Sequence, residues 1–269
     1  AGGACDYNGA THTGAKGAFM LTLDGKTILI TGASRGIGLA TARACAAAEA
    51  RVLGHAGRRS PASEALIGEG VVGTDDLLIE DLAVPGAGAR LFAAAVARAG
   101  RIDAVVNNAG IYLPTPVAGD EKVWNENWAA TLAVNLQAPA DICRAAVAHF
   151  RQQGGGRVVN LASRAGHRGD GLDFAGYAAS KGAILALTKT YARALSGENI
   201  LFFAISPGWV ETRMAPEDVT ARAKAIAEIP LGRVAQPDEV AALIVFLLSG
   251  ACPSATGATF DVNGASYVR

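Results

Sequence analysis

The stretch KTILITGASRGIG, Lys26 to Gly38, decides how the rest of the chain reads. Lys26–Thr31 (KTILIT) is a short apolar, β-branched run, the pattern of a strand buried on both faces of a parallel sheet. It stops at glycines spaced Gly32-x-x-x-Gly36-x-Gly38. Ile37 to Glu49 (IGLATARACAAAE) is rich in alanine and lacks proline, which predicts a helix. Working outward, Arg51–Gly54 is a weak second strand, followed by a loop at Gly57–Pro61. Asp76–Glu80, Asp103–Asn107, Arg157–Leu161, Ile200–Ile205 and Thr259–Val262 are five more strand candidates. Helical stretches alternate with them at Gly88–Ala99, Glu121–Gln153 (closed by glycines at Gly154–Gly156), Tyr177–Leu195 and Glu239–Leu248. Strands alternating with helices build βαβ units. The expected fold is therefore one α/β domain, doubly wound, around a mostly parallel seven-stranded sheet with helices on both faces.

Composition narrows the function. The 269 residues are 51% hydrophobic and 18% charged, ample for a sizeable core and unlike a disordered chain. Lys+Arg and Asp+Glu are 24 each, so the chain lacks the basic surface of a nucleic-acid binder or a peripheral membrane protein. Its longest apolar run, Val240–Leu248, falls well below the ~20 residues that cross a bilayer. The cysteines Cys5, Cys45, Cys143 and Cys252 form no CxxC pair, so the expectation is reduced thiols in a cytoplasmic protein with no metal site. Residues 1–18 contain no apolar signal core. Residues 1–20 read as a leader or cloning remnant, with Met20 a plausible start, and residues 21–269 as the domain.

The glycine turn suggests a phosphate cradle. Glycine lets a ligand approach the main chain closely. The helix beyond it offers unpaired N–H groups and a positive dipole end. Gly32, Ser34, Arg35, Gly36, Ile37 and Gly38 would line this cradle; a tight turn without a ligand is the plainer reading of the glycines alone. In dinucleotide folds an acid about 20 residues on reads a ribose 2′-hydroxyl, whereas arginine suits a 2′-phosphate. Here that place holds Gly57-Arg58-Arg59-Ser60, with no carboxylate. Two guanidiniums attract a phosphate that an acid would repel. The expected cofactor is NADP(H) in preference to NAD(H), with Arg58 and Arg59 as its readers; a solvated arginine loop is the alternative.

Tyr177-Ala178-Ala179-Ser180-Lys181 sets a phenol and an amine at i and i+4, on one helix face. A phenol of ordinary pKa about 10 is a poor acid–base catalyst at neutral pH. A neighbouring ammonium lowers that value toward the working range.

The motifs occur in a telling order: Gly32/Gly36/Gly38; Asn107-Asn108-Ala109-Gly110 ending the fourth strand; Ser163 ending the fifth; Tyr177 with Lys181; Ser206-Pro207-Gly208 with Thr212. Gly232-Arg233-Val234, Gln236-Pro237-Asp238-Glu239-Val240 and Asp261-Val262-Asn263-Gly264 complete it. Over residues 21–265 the chain resembles the short-chain dehydrogenase/reductase family, a Rossmann-type fold, and most of all its 3-oxoacyl-carrier-protein reductase branch. The resemblance implies that Tyr177 exchanges a proton with a carbonyl or alcohol. It implies that Lys181 holds the nicotinamide ribose and lowers the tyrosine pKa, that Ser163 bonds the substrate oxygen, and that Asn135 holds a relay water. Asn108, Ala109 and Gly110 would line the adenosine ribose. Asp81, next to Leu82, would bond the adenine amine. Pro207, Gly208, Val210 and Thr212 would seat the carboxamide and a phosphate. A homo-oligomer, tetramer or dimer, is implied as well, through the long helices.

The 13 residues between Ser163 and Tyr177 (RAGHRGDGLDFAG) are rich in glycine and charge, and they do not transfer from the family. Tyr112, His167, Phe174, Trp209 and Met214 flank the motifs and are candidates for a small-molecule carbonyl or alcohol pocket; each could equally be core or rim. Met214–Ile229 could be a mobile lid or a fixed surface helix. A non-catalytic NADP(H)-binding regulator or scaffold is the second reading of the chain, because fold does not fix function.

Overall fold

The computed structural model describes residues 21–214 and 218–269. The expected leader at 1–20 lies outside the described residues, as do positions 215–217 of the expected lid. Seven strands lie in the order β3-β2-β1-β4-β5-β6-β7. They are β1 (Thr27–Ile30), β2 (Arg51–Ala56), β3 (Leu77–Ile79), β4 (Ala104–Asn107), β5 (Gly156–Leu161), β6 (Ile200–Pro207) and β7 (Thr259–Val262). Every pairing is parallel, the edge strand β7 included. The helices are α1 (Gly36–Ala47), α2 (Pro61–Gly68), α3 (Ala87–Ala99), α4 (Glu121–Leu132), α5 (Ala138–Gln153), the single turn α6 (Ala165–Arg168), α7 (Ala175–Leu195), α8 (Val219–Ala227) and α9 (Pro237–Ser249).

The sheet is covered on both sides, which is why its strands read as unbroken apolar runs. The pleat still sorts side chains face by face. Ile28, Ile30, Val106, Val159 and Phe203 pack with Ala42 and Cys45 of α1 and Val240, Ile244 and Leu247 of α9. Leu29, Val105, Val158 and Phe202 point the other way, to Leu91 and Phe92 of α3, Ile142 and Phe150 of α5, and Leu195 of α7. Strand order reverses between β1 and β4, so the carboxyl ends of these two strands open the crevice where ligands of such sheets bind.

The departures from the sequence reading have local causes. Helix α2 was not expected; Ser60 caps it by accepting from the Ser63 amide, and Pro61 begins it. The long helix 121–153 is broken at Ala133–Gln137, a π-helical turn that holds Asn135. Strand β2 runs two residues past Gly54, because His55 and Ala56 pair with Leu78 and Ile79. Strand β6 extends to Pro207, and β3 is confined to three residues after a 3-10 turn at Thr74–Asp76.

Candidate active site

The glycine turn is held by its neighbours' polar groups. Thr31, buried, accepts the amides of Asn108 and Ala109, each at 2.9 Å, through its hydroxyl oxygen. Asn108 Nδ2 donates to the Thr31 carbonyl at 2.8 Å and to the Gly32 carbonyl at 3.2 Å. At Gly38 a Cβ would be driven into the Gly32 carbonyl oxygen and would lie 2.5 Å from Asn108 Nδ2. The helix and the turn therefore meet only because this residue has no side chain. No side chain caps α1, and its first turn carries no acid, so its amides and dipole face the crevice.

His55 went unnoticed in the sequence. It is buried at the end of β2, its Nδ1 accepting the Gly32 amide at 3.2 Å and its Nε2 donating to the Glu80 carbonyl at 2.8 Å. Burial pushes its pKa below the ordinary value, so the ring stays neutral and keeps that acceptor. The signal available was a histidine inside an otherwise apolar strand beside the glycine turn.

The expected cofactor residues line the carboxyl edges of β1 to β6. Ser34, Gly36 and Ile37 are half-buried and Arg35 is exposed at the start of α1. Asp81, exposed after β3, accepts the Ala83 amide, while Leu82 is buried. Arg58 and Arg59 are both exposed, but Arg59 is paired with Glu64 at 2.6 Å. Pro207 ends β6, and the Gly208 amide donates to the Val262 carbonyl. Val210 is buried in the core and bridges Ala235, so its side chain packs inward. Thr212 sits across from Gly36, where a Cβ would come within 3.1 Å of its methyl.

The four residues expected to act together converge. Tyr177 and Lys181 lie on α7, with Nζ 5.7 Å from the ring centroid. Lys181 is buried and donates to the Leu161 carbonyl at 2.8 Å. Ser163 follows β5 and its hydroxyl accepts the Ala165 amide at 3.1 Å. Asn135 accepts the Ile111 amide at 2.8 Å and donates to the Ile111 carbonyl and the Ser180 hydroxyl. At Gly110 a Cβ would lie 3.4 Å from Asn135 Oδ1 and 3.6 Å from Lys181 Nζ, which puts both groups at the end of β4.

Electrostatics here depart from expectation. Burial pushes the Tyr177 phenol up to about 12, and a hydrogen bond from Ser163 opposes that only in part. Burial also lowers the Lys181 ammonium to about 8. The Asp170 carboxylate adds to the rise, and Lys181, with Nζ over the ring and donating to the Leu161 carbonyl, does not offset it.

Of the candidate pocket residues, Tyr112 packs on Tyr177 and joins Phe174 and Trp209 to it. Tyr112 meets its ring edge-on at 4.7 Å, stacks on Phe174 at 3.9 Å and meets Trp209 edge-on at 6.5 Å. His167 turns away instead, stacking on Tyr267 and sharing a hydrogen bond of 3.1 Å with Ser206. Met214 is exposed beside Thr212. The described part of the expected lid is helix α8, capped by Asp218.

Among the described residues no cluster of His, Cys, Asp or Glu could hold a metal, and no helix is long and apolar enough to cross a membrane. A glycine turn at the point where the sheet order reverses, facing a tyrosine–lysine–serine group, defines a dinucleotide-binding α/β oxidoreductase. The family model described as enoyl-(acyl carrier protein) reductase matches residues 32–265. The 3-oxoacyl-[acyl-carrier-protein] reductase of Thermotoga maritima is 36% identical, over 91% of this chain and 98% of its own. The L-rhamnose 1-dehydrogenase (NAD(P)+) of Azotobacter vinelandii is 35% identical, over 93% and 99%. A 3-oxoacyl (acyl-carrier-protein) reductase from Agrobacterium tumefaciens, solved with NADP bound, superposes with a TM-score of 0.82 at 32% identity, over 91% and 95%. The chain belongs to the short-chain dehydrogenase/reductase family, in the 3-oxoacyl-carrier-protein-reductase-like branch. It is an oxidoreductase of CH–OH and C=O groups that uses a nicotinamide dinucleotide.

Proposed function

We propose that the chain interconverts a small-molecule carbonyl and a secondary alcohol with NADP(H) in preference to NAD(H), Tyr177 serving as acid and base. The observation that carries this is the grouping of Ser163, hydrogen-bonded to the Tyr177 hydroxyl, with Lys181, whose Nζ lies over the Tyr177 ring and beside Gly110 after β4.

The crevice fits a dinucleotide. The amides at the start of α1 and the backbone of Gly32, Ser34, Arg35, Gly36, Ile37 and Gly38 suit a pyrophosphate. Asp81 and Leu82 would meet the adenine, and Asn108, Ala109 and Gly110 its ribose. Pro207, Gly208, Val210 and Thr212 close the nicotinamide end. Arg58, exposed and with no ion pair among the described residues, is the better candidate for a 2′-phosphate; Arg59 already has Glu64. A nicotinamide dinucleotide, when bound, supplies or takes the hydride.

The remaining chemistry belongs to this chain. Ser163 donates to the carbonyl oxygen and fixes it against the Tyr177 hydroxyl. Tyr177, protonated throughout the neutral range, delivers its proton as negative charge develops on that oxygen. Lys181, charged below about pH 8, stabilises the phenolate left behind and holds the ribose. Asn135 fixes the Ile111 backbone, keeping the β4 end in register with α7, and its π-helical turn provides a place for a relay water. Tyr112, Phe174 and Trp209 exclude solvent around the reacting carbon.

The setting follows from the same features. The thiols of Cys45 and Cys143 are free and buried, which suits a reducing cytoplasm. The neutral surface suits neither nucleic acid nor membrane, and the long helices suit a homo-oligomer, tetramer or dimer. The test is NADPH oxidation followed by absorbance against a panel of ketones, aldehydes and 3-oxoacyl thioesters, repeated with NADH. Turnover with at least one member, faster with NADPH, is expected. NADPH binding with no turnover on any member would favour a regulatory or scaffold protein.

A further inference from the structure

Arg164 follows Ser163 directly, and its guanidinium is neither solvated nor fully paired. The side chain is only 6% exposed. Nη1 is buried with no hydrogen-bond partner among the described residues. Nη2 reaches Glu228 at 3.9 Å, too far for a good hydrogen bond. The guanidinium carbon lies 6.0 Å from the Trp209 ring centroid, and Trp209 packs through Tyr112 toward Tyr177.

A buried cation with an unmade donor costs stability in any protein that keeps it for structure alone. The groups facing it say what it awaits. Arg168, one turn on, repels it; Glu228, Asp170 and Tyr112 surround it. Asp170 spends one carboxylate oxygen on the Gly171 amide and the other on the Tyr112 hydroxyl. Glu228, at the end of α8, is half-exposed and lies closer to Arg168, at 3.5 Å, than to Arg164. Glu228 can therefore leave Arg164 without losing its own partner.

We propose that Arg164 is the substrate-recognition residue for a carboxylate, and that the carbonyl or alcohol substrate of this enzyme carries one. A planar guanidinium fork matches a carboxylate with two parallel N–H bonds. Arg164 and Arg168 are balanced by Glu228 and Asp170, so a singly charged carboxylate meets less repulsion here than a dianionic phosphate would. In the resting site Glu228 stands in for that group, and substrate entry shifts it toward Arg168. This rests on the carbonyl-reductase reading above.

The test uses matched pairs: 3-oxobutanoate, 4-oxopentanoate and 5-oxohexanoate against their methyl esters, and 5-oxo-D-gluconate against L-sorbose, each with saturating NADPH. The wild-type enzyme is expected to favour the acid by about tenfold or more in kcat/KM in at least one pair, in line with the worth of a charge-assisted bond. Arg164→Gln should abolish that preference through KM, with the KM for NADPH unchanged. Glu228→Gln should lower KM for the acid several-fold and leave the neutral partner alone. This second variant carries the test if the first fails to fold. Wild-type preference for the neutral partner in every pair overturns the assignment, as does an unchanged acid preference in Arg164→Gln, while the reductase reading stands. No reduction of either member of any pair overturns the assignment together with the reading beneath it.

Discussion

The two sides of the crevice are held by different means. On the cofactor side, around Gly32, Gly38 and Asn108, shape is set by main chain packed on main chain and by short buried bonds from Thr31, Asn108 and His55. On the proposed substrate side, around Tyr112, Arg164, Trp209 and Glu228, it is set by stacked rings and by a buried guanidinium loosely matched to a half-exposed carboxylate. The first arrangement tolerates almost no change in volume. The second can rearrange at small cost, as a surface that selects among substrates must. Specific substitutions should expose this difference.

The largest effect is expected at Gly38. Gly38→Val forces β1 and α1 apart and should weaken NADPH binding by about 10²-fold, the cost of misplacing a site by roughly an ångström. Fluorescence titration with NADPH reads it, and tight binding would show that the turn gives more easily than described. Arg58→Gln comes next. Losing one charge-assisted bond of about 1.5–3 kcal/mol should raise the KM for NADPH roughly 10- to 100-fold and leave that for NADH in place. Thr31→Val removes the acceptor for two amides and should cost about 1–3 kcal/mol in stability, read by denaturant unfolding. Arg59→Gln should be the mildest. Its exposed pair with Glu64 is worth about 0–1 kcal/mol, so cofactor preference should hardly move. Equal responses at 58 and 59 would erase the distinction between them.

On the Tyr177–Lys181 side the response to pH is distinctive. Lys181 is held below its ordinary value, so between about pH 8 and the ordinary lysine range the unfolded chain binds the extra proton. Stability from this group therefore rises with pH through that window. The proposed catalysis moves the opposite way, since the Lys181 ammonium assigned to steady the phenolate is lost above about 8. Reductive kcat should be flat through neutrality and fall as pH passes that value, a fall that Lys181→Arg should shift to higher pH.

The same contrast explains what the sequence alone disclosed. The seven-stranded sheet, the glycine turn at the end of β1 and the shared helix face of Tyr177 and Lys181 were legible because strand–helix alternation, glycine spacing and i+4 spacing are local patterns. Helix α2 escaped because its one clear mark is Ser60-Pro61, and the break at Ala133–Gln137 escaped because nothing in AVNLQ departs from ordinary helical composition. His55 and Arg164 were invisible for a deeper reason. Their roles come from burial and from partners 23 and more residues away in the chain, which no local pattern records. The same holds for the balance at Tyr177, where the i+4 spacing fixed the face of the helix but not how much desolvation the phenol would suffer.

On the proposed mechanism the Tyr177 hydroxyl is the proton source at a carbonyl fixed beside a nicotinamide. Single-turnover reduction by Tyr177→Phe, with NADPH binding measured on the same sample, tests it most directly. NADPH affinity should be retained while the reductive rate falls by about 10²–10⁴-fold. A variant that binds NADPH and reduces substrate at the parental rate would contradict it.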